Sequence, residues 1–279
     1  MSGGNVRWGR QGIVERHTRP VCRGAAIRPR TDPPAVVVQV IGPLTVVLAG
    51  QVRPPAEVGS RKGRTLLALL AVERGCVVGV DRLVDVVWED RPPRRPEASA
   101  ATLVSRLRGV LGQFAVVGGR SGYRLGERVQ VDLYEVVRLV TRSEAALAVG
   151  DPAHALQPAR SALRSLQRGL VLSDQGCADW AEPARAFHGE LCRRARHAVA
   201  GAACAVGDVR LAQSTAMSAL VVDPLDETAC RLLMRAHARA GEPARALRAY
   251  EKFRQSLAAD LGVDPASVTR ELHLAILRS

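Results

Sequence analysis

Apolar residues recur along this chain in short extended runs near its start and at helical spacing almost everywhere after that. Over 36–41 and 44–48 they alternate or run together around Gly42 and Pro43, which predicts two strands of a small antiparallel sheet. Ser60 stands where a cap belongs for a helix expected over 61–74; its Leu66, Leu67, Leu69 and Leu70 need a core, and Gly75 ends it. Residues 76–80 read as a further strand. Behind a capping Asp81, Leu83, Val84, Val87 and Trp88 recur at helical spacing until Pro92 and Pro93 stop the helix. The next helix is expected over 97–113. Ala100, Leu103, Val104, Leu107, Val110 and Leu111 fall on one side of it, and Ala98, Thr102, Ser105, Gly109 and Gln113 on the other. A hairpin follows, with strands over 114–117 and 123–125 and a turn over 118–122.

From Asp132 onward the pattern is helical and repeats. Gly241 and Ala246 come 34 residues after Gly207 and Ala212, the period of a tetratricopeptide unit, and Pro224 also falls at a position such units favour. An earlier degenerate copy begins at Val149, Gly150 and Asp151, matching Val206, Gly207 and Asp208, and ends at Leu163. A loop over 169–182 containing Trp180 separates the copies. Stacked helix pairs of this kind expose a concave surface, which binds proteins far more often than it catalyses. The expected fold class is therefore mainly α with a small β component: an N-terminal winged helix-turn-helix over 36–131, then an all-α TPR-like helical-repeat domain over 132–279.

The polar side of the 97–113 helix carries the candidate chemistry. A helix made only to be soluble usually shows Glu and Lys there, whereas this one shows small residues framed by Arg106 and Arg108. Small side chains let a helix sit deep in a major groove, where Ser99, Thr102 and Ser105 reach base edges and the arginines hold phosphates. An Ala-rich packed helix with solvated arginines accounts for this segment equally well until its neighbours are considered. Arg94 and Arg95 in the preceding turn, and Arg120 and Arg124 in the hairpin, place cations where a winged helix meets backbone or minor groove. Lys62 and Arg64 add a basic helix N-terminus able to meet a phosphate.

Charge sharpens this picture. The 279 residues carry a net +13, divided as +5 over 1–35, +6 over 36–131 and +2 over 132–279. Nucleic acid is the natural polyanionic partner. No apolar run approaches the roughly 18 residues that span a bilayer, no basic amphipathic helix carries large apolar anchors, and a cytoplasmic protein with no membrane partner is expected. Residues 1–35, with seven arginines and no periodicity, read as a disordered basic tail, either a source of non-specific DNA affinity or an upstream extension. The six cysteines form no C-x-x-C pair and are expected as buried small residues.

An enzyme reading has one opening and it fails on spacing. Between Gly59 and Gly63 stand three residues, followed by Arg64 and Thr65, where a phosphate-cradling loop needs four and then Lys-Ser/Thr. The histidines show no metal spacing, His237 sits at a hairpin-packing position, and Asp223 and Asp226 flank Pro224 as a helix cap would. No catalytic, cofactor or metal residues are expected.

These residues together resemble a known family, the SARP group of actinobacterial antibiotic regulatory proteins. The likeness runs through Val38, Ile41, Gly42, Pro43 and Leu44, through the stretch from Lys62 to Leu70, and through Val80, Asp81, Arg82, Leu83, Val84, Asp85, Val86, Val87 and Trp88. It continues in Val104, Ser105, Arg106, Leu107 and Arg108 and in Gly122, Tyr123, Arg124 and Leu125. It ends in Leu261, Gly262, Val263, Asp264 and Pro265 and in Arg270, Glu271, Leu272 and His273. Such proteins carry a wing arginine three residues before the glycine that stands here at Gly122; that place holds Gly119, and Arg120 lies one residue further on. The resemblance implies an OmpR-type winged helix joined to a bacterial transcriptional activator domain, acting on a secondary-metabolite gene cluster. It also implies double-stranded promoter repeats, RNA polymerase holoenzyme and a second protomer on DNA as partners. The rival is a TPR-type adaptor whose winged helix no longer reads DNA.

Overall fold

The computed structural model describes residues 36–73, 75–89 and 91–279, so the expected basic tail lies outside the described residues. Strands β1 (Val36–Gln39) and β2 (Thr45–Leu48) pair antiparallel as the alternation predicts. Val36 and Val38 are fully buried on one face of β1. Strand β3 (Gln51–Arg53) pairs with β2 and is exposed throughout. After the short α1 (Pro55–Val58), Ser60 caps α2 (Arg61–Val72) by accepting from the Gly63 amide at 3.2 Å.

The expected strand over 76–80 shrinks to one bridge, because Val80 already belongs to α3 (Val80–Trp88). Asp81 does not cap that helix. Gly79 does: its backbone is extended and its carbonyl accepts from Leu83, while Asp81 lies in the first turn, where a carboxylate still favours the helix dipole. The helix also ends before Pro92 and Pro93, with Glu89 at a positive φ of 51°. Helix α4 (Pro96–Leu111) stops two residues short of expectation at Gly112, whose φ of 95° suits glycine. The hairpin strands β4 (Val116–Gly119) and β5 (Gly122–Leu125) are displaced toward the turn relative to expectation. Strand β6 (Val129–Val131), unanticipated, pairs parallel with β1 and completes a sheet ordered β3-β2-β1-β6.

Helix α5 (Asp132–Ala148) leaves β6 without a linker. It is followed by α6 (Pro152–Leu166), a loop with two 3-10 turns, α7 (Glu182–Val206), α8 (Val209–Val222), α9 (Glu227–Arg239), α10 (Pro243–Leu261) and α11 (Ser267–Leu277). The repeated Gly-Asp pairs are capping devices. Gly150 and Gly207 take positive φ after one helix, and Asp151 and Asp208 cap the next by accepting from His154 and Leu211. Buried alanines, among them Ala159, Ala198, Ala212 and Ala216, let the helices approach closely. His237 is buried against Glu242 and Gln213. Cys204 and Cys230 are buried as expected, whereas Cys76 and Cys192 are half-buried and Cys177 is exposed.

One hydrophobic core runs from β1 through α2, α3, α4 and the hairpin into α5, α6 and the first half of α7. Polar bonds cross the same seam. The Asp132 carboxylate accepts from the amides of Val40 (2.8 Å), Ile41 (3.3 Å) and Leu133 (2.8 Å) and pairs with Arg168. The loop after α6 adds backbone bonds from Leu172 to Val40, from Gly42 to Leu170 and from Ser173 to Gly42. That loop, expected only to separate repeats, fastens the helical part to the sheet.

Candidate nucleic-acid interface

Helix α4 buries Ala100, Leu103, Val104, Leu107 and Leu111 and leaves Ala98, Ala101, Thr102, Ser105, Arg106 and Gly109 exposed. Because residues advance about 100° each, Ala98, Thr102, Ser105 and Gly109 form the outermost line, with Arg106 and Arg108 on opposite flanks. Val110, expected in the core, is 39% exposed because it lies on the rim of the buried face. Thr102 donates its hydroxyl proton to Ala98 O (2.8 Å), which leaves the oxygen lone pairs and the methyl group to face outward. Ser99 is half-buried at the edge of the face, while Arg94 and Arg95 are exposed at the helix start. Arg91, exposed in the same turn, was not singled out from the sequence; its place in the Pro/Arg run is the signal that would have found it.

The hairpin stands beside this face. Its outer strand is held by paired backbone bonds between Val78 and Tyr123 (2.8 and 2.9 Å), the strand remnant expected over 76–80. Glycine is required at Gly122, where a Cβ would lie 2.4 Å from Val78 O, and at Gly118, where it would lie 2.2 Å from Gly122 O. Arg120 is exposed at the tip.

Four sequence-selected cations are held by their own chain. Arg108 donates to Val116 O (2.8 Å) and Gly118 O (3.3 Å). Arg64 donates to Gly59 O (2.6 Å) and Pro55 O (3.2 Å), and Arg124 to Leu125 O (3.4 Å). Lys62 lies with its ammonium 5.1 Å from the Trp88 ring centroid, a cation–π contact that keeps the charge exposed. The structure thus brings Thr102, Ser105 and Arg106 together on one face, adds Arg94 and Arg95 at its start and Arg120 beside it, and turns Arg64, Arg108 and Arg124 partly inward. Among the described residues no group of three His, Cys, Asp or Glu is placed to hold a metal ion. Among them, no helix is long and apolar enough to cross a membrane.

A surface helix with a small polar outer line, a short helix packed beneath it and a glycine-dependent hairpin at its side define a winged helix-turn-helix, here fused to a helical-repeat array. The family model for the bacterial transcriptional activator domain matches residues 131–277. The transcriptional regulatory protein MoaR1 of Mycobacterium bovis BCG is 34% identical over 254 residues, covering 88% of this chain and 80% of that protein. The transcriptional regulator RedD of Streptomyces coelicolor is 32% identical over 251 residues, covering 87% of this chain and 70% of that protein. Among solved structures, Mycobacterium tuberculosis EmbR in complex with a low affinity phosphopeptide superposes with a TM-score of 0.77 at 30% identity. That match takes in 88% of this chain and 66% of that one. The chain belongs to the SARP-type transcriptional regulators, with an OmpR-type winged helix and a bacterial transcriptional activator domain.

Proposed function

We propose that the chain is a sequence-specific DNA-binding transcriptional activator, cytoplasmic and nucleoid-associated, that performs no enzymatic step and uses no cofactor. The observation that carries this reading is the outer face of α4, where Thr102 and Ser105 stand exposed on a line of small residues beside Arg106. In a major groove those hydroxyls meet base edges while Arg106, Arg94 and Arg95 neutralise phosphates. Family membership supports promoter repeats as the target, two protomers side by side on DNA, recruitment of RNA polymerase holoenzyme, and a secondary-metabolite or antibiotic gene cluster as the regulated unit. The rival, an adaptor whose winged helix has lost DNA, draws on the inward turn of Arg64, Arg108 and Arg124. The exposed Arg94, Arg95, Arg106 and Arg120 favour DNA.

The test of activation must respect the shared core. A fragment ending at Asp132 would lose Leu133, Val136, Val140, Leu166 and Leu172 from it, so the informative truncation ends after α7. Reconstituted transcription at equal promoter occupancy should show stimulation by the full chain and none by a chain ending at Gly207. Equal stimulation by both would remove activation from the last four helices.

A further inference from the structure

Beyond its base, where Val116, Tyr123 and Leu125 are buried in the shared core, the tip of the wing has little packing of its own to hold its angle. Around the tip, residues 118, 119 and 122 are glycines without side chains to pack, and Arg120 and Ser121 between them are exposed. The far strand, β5, is tied down through Tyr123 and Val78. The near strand, β4, meets Arg108 of α4. The guanidinium spans two positions of that strand, with Nε donating to Val116 O at 2.8 Å and Nη2 donating to Gly118 O at 3.3 Å. Only a planar, always-charged fork offers two donors in this fixed relation, and bonds from a charged donor are stronger than neutral ones. Gly118 itself, at φ 125°, has no Cβ that could buttress the strand instead.

We infer that Arg108 is a positioning residue, a strut from the DNA-reading helix to the wing, so that the groove contacts of α4 and the cation of Arg120 act as one preorganised unit. This role rests on the DNA reading proposed above. It stands beside the phosphate contact expected of Arg108 from sequence, since two of the five guanidinium N–H donors are engaged at the wing and three remain. With the strut in place, seating Thr102 and Ser105 in a groove fixes where Arg120 falls, and no conformational freedom of the wing is lost at the moment of binding. Without it, Arg120 remains present but no longer placed.

A phosphate contact and a strut make different predictions in a double-mutant cycle on the full chain with its selected duplex. In the strut account Arg120→Ala weakens binding about tenfold in the native background but less than about twofold once Arg108→Ala is present. Arg108→Lys, a point charge without the fork, should behave like Arg108→Ala. Equal losses from Arg120→Ala in both backgrounds, or full rescue by lysine, would overturn the proposal. A second readout separates it from the DNA reading: without DNA, amide exchange at 118–122 should accelerate in Arg108→Ala while the α4 amides stay protected. If the native chain selects no duplex, the DNA reading falls and the exchange pattern alone decides the strut; unchanged exchange in the wing would refute it.

Discussion

Replacing Asp132 by alanine should cost this protein a large part of its stability, because one carboxylate serves both sides of the seam. Val40 is fully buried and Ile41 is 3% exposed, and both amides end on Asp132 oxygens. Each amide left without an acceptor costs about 1–3 kcal/mol, and the lost charge at the start of α5 costs about 0.3–1 kcal/mol. Arg168 is substantially exposed, so its ion pair adds little. The expected loss for Asp132→Ala is about 2–7 kcal/mol, from a total that for ordinary proteins lies near 5–15 kcal/mol. Asp132→Asn retains one acceptor and should lose about half as much. Burial raises the Asp132 pKa above 3.8, outweighing the amides of Val40, Ile41 and Leu133 and the charge of Arg168. The carboxyl's titrating contribution is therefore fully present below 3.8 and is lost as pH rises through the raised folded value, so the gap between native protein and Asp132→Asn narrows over that rise. Urea unfolding followed by circular dichroism measures both variants. A loss below about 1 kcal/mol for Asp132→Ala would refute the reasoning.

Two further outcomes follow from local geometry. Gly122→Ala forces a Cβ to within 2.4 Å of Val78 O and should cost about 2–4 kcal/mol in thermal unfolding, whereas Gly79→Ala, with open space and an ordinary φ, should stay within about 1 kcal/mol; equal effects would contradict the wing geometry. Burial of Asp226 is outweighed by His197, 2.6 Å away, and by the Ala229 amide, which together hold its carboxyl below 3.8. The stability it supplies is present above 3.8 and lost as pH falls through the lowered value, so Asp226→Asn should flatten that acid limb, and an unchanged limb would exclude the pair as its source.

Features encoded within a few residues were legible in the sequence. Ser60 as a cap, the Gly-Asp turns at 150–151 and 207–208 and the buried line of α4 each depend on neighbours one to four positions away. Where two local rules compete, sequence alone chose wrongly: Asp81 is the better capping residue by type, but the extended backbone falls at Gly79. Strand β6 was missed because three residues carry little periodicity, and its partner β1 lies more than 90 residues earlier. The Asp132 latch reaches equally far. In the candidate interface, the side of α4 that faces outward was readable, but the direction of each arginine was not. Arg106 and Arg108 differ by two positions, and only the location of the hairpin turns one of them inward.

The central claim is that the outer face of α4 reads bases. Selection of bound duplexes from a randomised pool, carried out with the native chain and with Ser105→Ala, tests it most directly. The account predicts that the native chain enriches a defined repeat and that Ser105→Ala relaxes preference at one or two adjacent positions by about 1–3 kcal/mol, leaving the remainder intact. An unchanged sequence preference in Ser105→Ala, accompanied only by uniformly weaker binding, would contradict base reading by this face, and the absence of any enriched sequence from the native chain would contradict DNA recognition altogether.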